Sequence, residues 1–422
     1  MRAFAELGAL VEEQWRARNY EESLFSGIAA RELSELNLSE QVDPWEIISW
    51  VHSTPDLPQQ MDLPAKFGDA PITLYVGPRF YIDVYFWLDG TTSIHQHSFS
   101  GAFQVLLGSS VHSMYHFEKE REINPHFLTG RVLLDDVCLL RKGDIREINP
   151  GPKFIHSLFH LERPSATITV RTHEAPAAPV QFSYLKPYLA QNPFFKNASL
   201  MRNLQTVSLL LRMHHPEADR FIGDLIDSAD FQTCYEVLTR AFEFLCHREV
   251  EEIFGLSRSS ERFLALLQRA RAKHGELADL LLPVFEEEWR DTDIARRRAE
   301  IKGEDHRFFL ALLLNVPEKT TVLRLVKERF PDKDPVDLVV GWIKELSATK
   351  IFGSREPNVL GIGEFDDSHL FVFKGLLEGL TVEEIGVRAT AQPSGAKLKT
   401  SVEELTSLVK GLPLFKSIFN PQ

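Results

Sequence analysis

The stretch from Arg79 to Thr172 most constrains the fold, because apolar and aromatic residues alternate there in short runs separated by turn residues. The candidate strands are Phe80–Leu88, Ala102–Leu107, Val111–Phe117, Val132–Leu140, Ile145–Ile148, Phe154–Phe159 and Ala166–Thr172. Turns such as Asp89-Gly90 separate them. Short strands at regular intervals predict a double-sheet barrel of jelly-roll type, whose interior can hold a small ligand and a metal ion.

Two histidines stand two residues apart in the segment Gly90–Gly108, which reads GTTSIHQHSFSGAFQVLLG. In a strand, side chains at i and i+2 point to the same face, so His95 and His97 are expected to project together. Two neutral imidazoles held on a stiff strand can bind one metal ion. This pair is therefore our first candidate for a metal site.

The best candidate for a third ligand is His156, in the later segment GPKFIHSLFH. Eight of the fifteen histidines of the chain lie between His95 and His173, which is a dense cluster. Within it, His112 and His116 share a strand face with Met114, and we expect them to face solvent rather than the cavity. We therefore predict metal ligation by His95, His97 and His156.

These two segments resemble the signature motifs of the cupin superfamily. Within it they are most similar to the cysteine dioxygenase-type thiol oxygenases, over about residues 79–176. The resemblance implies a cupin barrel with three histidines on ferrous iron and no carboxylate ligand, since Gln104 stands near the place where most cupins have a glutamate. The C-terminal half carries no such resemblance.

The chain departs from that family in three respects. Ala102 stands where its crosslinking cysteine would be, and His160 stands where asparagine is usual. The Ser-His-Tyr relay of the family would fall on Thr167, Thr169 and Arg171, none of which matches. The fold and the metal carry over on this pattern, whereas cysteine as the substrate does not.

The ligand set alone does not select the metal, because imidazole binds iron, copper, nickel and zinc. The resemblance favours Fe(II) with O2 as a co-substrate and leaves Zn, Ni, Cu and Mn open. Gln104 and Glu147 are candidate supports for the ligating rings, and of the two we expect Glu147 to be a solvated strand residue instead.

Three further residues are candidates for roles in catalysis. Arg79 and Arg171 could clamp an acidic substrate, because a guanidinium binds a carboxylate through two parallel hydrogen bonds. His160 shares a strand face with His156 and is a candidate outer-sphere donor or fourth ligand. The alternative for each arginine is a surface salt bridge.

Composition limits the partners of the chain. Its 422 residues carry a net charge of −13, which argues against nucleic-acid binding and against docking on anionic membranes. The apolar runs are far shorter than the ~20 residues of a membrane-spanning helix. Three cysteines are too few for a disulfide framework, and the start of the chain is not a signal peptide. A reducing cytoplasm fits this pattern.

The barrel is predicted to lie between two helical parts. Residues 1–53 form an N-terminal helical segment, in which Asp43-Pro44 starts a helix at Trp45–Val51. Residues 54–185 form the cupin barrel, ending near a linker-like run at 175–179. Residues 186–422 form an all-helical domain, for which a split into two subdomains near 291–304 or 353–367 stays open. The fold class is therefore α+β.

Two functions remain open. The first is a cupin-type, Fe(II)-dependent oxygenase that acts on a small thiol, amino-acid-like or natural-product substrate. The second is a non-catalytic cupin that binds or senses a small ligand. In either case, substrate capping, docking of a protein partner and homodimerisation are all open roles for the helical domain.

Overall fold

The structure, a computed structural model, describes residues 1–61, 63, 68–88, 92–173, 178–246, 259–350, 356–361, 365–391 and 400–419. Within them, N-terminal helices precede a β-barrel and an all-helical region follows it, so the predicted α+β class is confirmed. The predicted turn at 89–90 lies outside the described residues. Parts of the linker run at 175–179 and of the subdomain break near 353–367 also lie outside them.

Four helices precede the barrel: α1 (Arg2–Arg16), α2 (Phe25–Leu36), α3 (Leu38–Gln41) and α4 (Pro44–Ser53). Phe4, Leu7 and Val11 recur every three or four residues of α1 and are fully buried. The helix start predicted at Asp43-Pro44 is confirmed, because the Asp43 side chain accepts a hydrogen bond from the backbone N–H of Trp45. The apolar stripe of these helices packs on one sheet of the barrel.

The barrel contains β1 (Ala70–Val76), β2 (Phe80–Trp87), β3 (Ile94–Gln96), β4 (Gly101–Leu107), β5 (Ser110–Asn124), β6 (Phe127–Leu140), β7 (Ile145–Ile148), β8 (Ile155–His160), β9 (Ser165–Thr172), β10 (Ser183–Leu185) and β11 (Leu189–Gln191). One antiparallel sheet has the order β1-β2-β9-β4-β7. The other has the order β10-β11-β6-β5-β8-β3 and closes where β3 pairs with β10. The predicted double-sheet barrel is confirmed, while the domain boundaries proposed from the sequence stay a prediction.

The β5–β6 hairpin is longer than the sequence predicts. Its outer half carries the charged run from Glu118 to Glu122, which lies partly or fully exposed on both faces. Because no apolar alternation marks such a ribbon, the sequence pattern ends at Phe117 while the backbone pairing continues to Asn124. The hairpin therefore extends the second sheet beyond the predicted strand ends.

Alternation along β2 separates the two faces of the first sheet. Ile82 and Val84 belong to the core shared with the N-terminal helices. Asp83 and Tyr85 point the opposite way, into the barrel, and both are buried. The interior of the barrel therefore has a polar wall on this side.

The helical region contains α5 (Ala198–Arg212), α6 (Ala218–Ser228), α7 (Phe231–Leu245), α8 (Ser259–His274), α9 (Leu281–Glu300), α10 (Glu304–Asn315), α11 (Lys319–Arg329), α12 (Pro335–Ala348), α13 (Asp367–Leu377), α14 (Val382–Thr390), α15 (Val402–Gly411) and α16 (Lys416–Phe419). Its largest core includes Phe308 and Phe309 and is continuous with Val111, Val137 and Phe159 of the barrel. The helical region thus packs on the second sheet. None of the helices in the described residues combines the length and the hydropathy that a bilayer crossing requires.

Candidate metal centre

His95 and His97 lie together inside the barrel. His95 is the central residue of β3, and His97 follows the strand directly. Both side chains are buried, and their ring centroids are 4.6 Å apart. The spacing of two residues in the sequence therefore places both imidazoles on one side, within reach of one ion.

His156 completes the cluster from the neighbouring strand. β3 pairs with β8, and this register puts His156 directly opposite His95. The Nε2 atoms of His97 and His156 are 2.9 Å apart, and one ligand atom from each of the three histidines lies within 4.8 Å of the others. In the part of the chain that the structure describes, this group contains three histidines and no carboxylate.

The three rings have the protonation state that a metal requires. Burial lowers the pKa of His95 and lowers the pKa of His97 and of His156 well below the usual range, so all three are neutral near pH 7. The Nδ1–H of His95 donates to the backbone carbonyl of Ser93 at 2.7 Å, because a carbonyl can only accept. This hydrogen bond leaves the Nε2 lone pair of His95 available as a ligand.

The distances also fit a metal ion. Two imidazole nitrogens bound at ~2.1 Å and at right angles are about 3.0 Å apart, close to the observed separation of 2.9 Å between His97 and His156. One ion with such bonds spans at most about 4.2 Å, so ligation by all three histidines requires the ligand atoms that lie up to 4.8 Å apart to move closer together. The donor set therefore fits one divalent transition-metal ion.

His112 is a part of this centre that the sequence interpretation missed. It lies on β5 and is buried, with its Nε2 atom 3.1 Å from Nδ1 of His156. The expectation that His112 faces solvent is wrong. His116 is exposed as expected and pairs with Asp135. The two differ because β5 pairs with β8, the strand that carries His156, only as far as Tyr115, so His116 lies beyond that pairing and meets water.

His160 lies at a different place in the barrel interior, outside the three-histidine group. Its ring stacks on Trp87 with a centroid distance of 4.5 Å. Its Nδ1 is 3.1 Å from the hydroxyl oxygen of Ser110 and 2.8 Å from that of Ser165. Burial, and next the charge of Arg298, lowers the pKa of His160 to about 3. These contacts are those of a neutral, buried histidine.

Of the two candidate supports, Gln104 bonds elsewhere, and Glu147 is solvated as expected. Gln104 donates a hydrogen bond from Nε2 to the carbonyl of Gly143 at 3.2 Å. Glu147 is exposed and has its carboxylate near Gly27 of α2. The ring of His95 is hydrogen-bonded instead to the Ser93 carbonyl, and the ring of His156 to His112.

Arg171 lies beside the histidines. Its guanidinium carbon is 3.6 Å from the ring centroid of Phe99 and 5.2 Å from that of Tyr81. The Phe99 ring in turn lies 4.6 Å from the ring of His97. The Nε of Arg171 is buried and has no hydrogen-bond partner among the described residues. A guanidinium with an unused donor beside the three histidines can bind an anionic group.

Arg79 lies away from this cavity. It is exposed, and its guanidinium carbon is 4.4 Å from the ring centroid of Tyr20, a residue of the N-terminal helical part. Its backbone carbonyl accepts a hydrogen bond from the N–H of His173. Of the two candidate arginines, only Arg171 lies beside the histidines.

A buried carboxylate lies on the inner face of the first sheet. Asp83 accepts hydrogen bonds from the hydroxyl of Thr73 at 2.7 Å and from that of Tyr85 at 2.9 Å. Burial, and next the negative charge of Asp83, raises the pKa of Tyr85, so the phenol stays a donor. A single acidic residue within the apolar strand β2 is the sequence signal that could have indicated this polar wall.

The comparisons with known proteins give limited likeness. No protein-family model matches the chain, and no curated protein matches its sequence. Among solved structures, hydroquinone 1,2-dioxygenase from a Sphingomonas species, with 4-hydroxybenzoate bound, matches with a TM-score of 0.20 and 10% identity. That match covers 26% of this chain and 68% of the dioxygenase.

Two further solved structures are similar over a comparable part. An uncharacterised protein with a double-stranded β-helix domain from Klebsiella pneumoniae has a TM-score of 0.18 and 16% identity, over 27% of this chain and 84% of its own. Oxalate oxidase in complex with the substrate analogue glycolate has a TM-score of 0.20 and 12% identity. That match covers 30% of this chain and 65% of the oxidase. TM-scores of this size support no argument about function. The fold assignment rests on the strand pairing described above, and the likeness to cysteine dioxygenase-type proteins stays a prediction.

Proposed function

We propose that this protein is a cupin-type oxygenase that holds Fe(II) through His95, His97 and His156 and uses O2 on a small substrate. The observation that carries the proposal is the convergence of three buried, neutral imidazoles inside the barrel. The absence of a carboxylate from this group, within the described residues, supports a three-histidine centre. Ferrous iron in such a centre supplies a site at which a substrate heteroatom and O2 can bind together.

The preference for iron rests on the resemblance of the two histidine segments to the three-histidine thiol oxygenases, because the ligand set by itself does not choose the metal. Zinc, nickel, copper and manganese remain alternatives, because imidazole binds each of them.

The residues around the histidines have distinct roles in this proposal. Arg171 binds and orients an acidic group of the substrate through its guanidinium. The rings of Phe99 and Phe154 lie 4.6 Å and 6.1 Å from the ring of His97, and they exclude water from that side of the centre. A small thiol, amino-acid-like or natural-product substrate with a carboxylate fits this combination. His160 and Arg79 have no direct role in it.

The second candidate function is a non-catalytic cupin that binds or senses a small ligand. Two observations favour it. Arg298 of the helical region donates hydrogen bonds to the carbonyls of His160 and Leu161, at the end of the strand that carries His156. A cavity of about 830 Å³ also lies between the second sheet and the helices, with walls that include Val137 and Thr321. A ligand bound in the barrel could therefore act on a partner, or on a second copy, through the helical region.

We also propose a cytoplasmic location. Cys138 and Cys234 carry free thiols. Free thiols are typical of a reducing compartment.

Elemental analysis after anaerobic loading with ferrous iron tests the proposed function. We expect close to one iron per chain in the wild type and a large loss in His97→Ala. His116→Ala is the matched control, because His116 lies exposed on β5, and it should retain the metal. Oxygen uptake with a panel of thiols and carboxylic acids then tests for oxygenase activity.

The outcomes separate the two candidates. Iron binding together with substrate-dependent oxygen uptake supports the oxygenase. A tightly held zinc ion without oxygen uptake favours the binding protein. If neither the wild type nor the variant binds iron, zinc or cobalt, the three histidines are structural and the proposed metal centre is refuted.

A further inference from the structure

The contact between His112 and His156 defines which tautomer of His156 can bind a metal. A neutral imidazole carries one proton, on either Nδ1 or Nε2. The Nε2 atom of His156 faces His97 in the cluster, so ligation through it requires the proton on Nδ1. That Nδ1 atom lies 3.1 Å from Nε2 of His112, which must then act as an acceptor.

The opposite arrangement would block the site. If His112 donated from Nε2, then Nδ1 of His156 would be the acceptor and the proton of His156 would occupy Nε2. No lone pair would then face the metal position. The protonation of His112 on Nδ1 is therefore coupled to the ligating form of His156.

We propose that His112 is a positioning residue, which holds the ring of His156 in place and selects its metal-binding tautomer. This inference rests on the proposed metal centre and goes beyond the three ligands. For His95 the equivalent acceptor is the backbone carbonyl of Ser93, which can only accept. For His156 the acceptor is a side chain that a point mutation can remove.

The surroundings of His112 support a fixed position for its ring. The side chain is buried, with the rings of Phe103 and Phe154 at centroid distances of 6.0 Å and 6.1 Å. The ring of His156 lies 5.2 Å away at an interplanar angle of 75°. A ring packed in this way cannot move away from His156 without opening a cavity in the barrel. His112 therefore restrains the ring of His156 as well as accepting its hydrogen bond.

Metal affinity of the full-length protein tests the proposal, with Co(II) and Zn(II) as probes in a chelator competition. His112→Phe keeps an aromatic ring and removes the acceptor, and we expect its affinity to fall by about 10- to 100-fold. His112→Gln keeps an acceptor oxygen and should recover most of the loss. His116→Gln, on the same strand and exposed, should bind like the wild type. Circular dichroism verifies that each variant is folded.

A spectroscopic readout separates positioning from a general structural effect. In the Co(II) protein, each ligating histidine carries a ring N–H whose proton resonance is strongly shifted, and those of His95 and His156 should be slowed in exchange by their acceptors, the Ser93 carbonyl and His112. His112→Phe should lose one of them, or expose it to rapid exchange, and His112→Gln should keep both. Equal affinity and an unchanged pair of resonances in folded His112→Phe would overturn the proposal.

The wild type alone gives a test that does not depend on variant folding. With ¹⁵N-labelled histidine and Zn(II), the resonances of His112 should show the proton on Nδ1 and a lone pair on Nε2. A proton on Nε2 of His112 would refute the positioning role while leaving the metal centre intact. Failure of the wild type to bind Co(II) or Zn(II) would refute the proposed centre and this inference together.

Discussion

Protonation of His160 should make the barrel lose stability in acid. The imidazole is completely buried, stacks on Trp87 and lies within hydrogen-bond distance of the hydroxyls of Ser110 and Ser165. Burial lowers its pKa from 6.5 to about 3. Above pH 6.5 the ring is neutral in the folded and in the unfolded chain, so it makes no contribution to the pH dependence. Below pH 6.5 the unfolded chain binds a proton that the folded chain excludes.

The size of the effect follows from the two pKa values. Each pH unit between 6.5 and 3 shifts the free energy of unfolding by ~1.4 kcal/mol per histidine. At pH 5 this one group should therefore reduce the free energy of unfolding by about 2 kcal/mol relative to pH 7.5. His112, whose pKa burial also lowers to about 3, should add a loss of similar size.

Urea unfolding of metal-free protein, followed by near-UV circular dichroism at pH 7.5 and pH 5, tests this prediction. The His160→Gln variant lacks the group that titrates. Its free energy of unfolding should therefore fall by about 2 kcal/mol less between pH 7.5 and pH 5 than that of the wild type. Ser165→Ala is the matched control, because it removes a hydrogen-bond partner and keeps the imidazole. The Ser165→Ala variant should be less stable than the wild type, and the difference should be the same at pH 7.5 and at pH 5. If the wild type and His160→Gln lose equal stability, the reasoning from burial is refuted.

Two further predictions concern charged side chains. Lys186→Met should destabilise the protein by about 1–3 kcal/mol, because Lys186 forms ion pairs of 3.1 Å with Glu287 and 3.3 Å with Asp291, while Arg290 still pairs with both carboxylates. Urea unfolding measures this change, and an unchanged midpoint would contradict it. Arg171→Leu should weaken the binding of benzoate to the metal-loaded protein by at least about tenfold, since a charged hydrogen-bond donor is lost. Calorimetry measures that affinity. Arg79→Leu is the matched control and should bind like the wild type, whereas equal affinity in the Arg171→Leu variant would rule out Arg171 as the carboxylate clamp.

The sequence by itself determined the local features of the protein. Alternation of apolar residues indicates the strands of the barrel, because successive side chains of a strand meet opposite environments. The same rule puts His95 and His97 on one side of the chain, which the structure confirms. The start of α4 at Asp43-Pro44 also follows from local hydrogen bonding. All of these features depend on neighbours within a few residues.

Only the tertiary structure decided how distant segments meet. The register of β3 against β8 sets His156 opposite His95, and no sequence pattern encodes the pairing of strands that are sixty residues apart. His112 and His116 have the same parity, yet one contacts His156 and the other faces water, because the pairing of β5 with β8 ends between them, at Tyr115. Local periodicity indicates which face a side chain takes. Whether that face meets a metal centre, a helix or solvent depends on which strands pair beside it, and so on the whole fold.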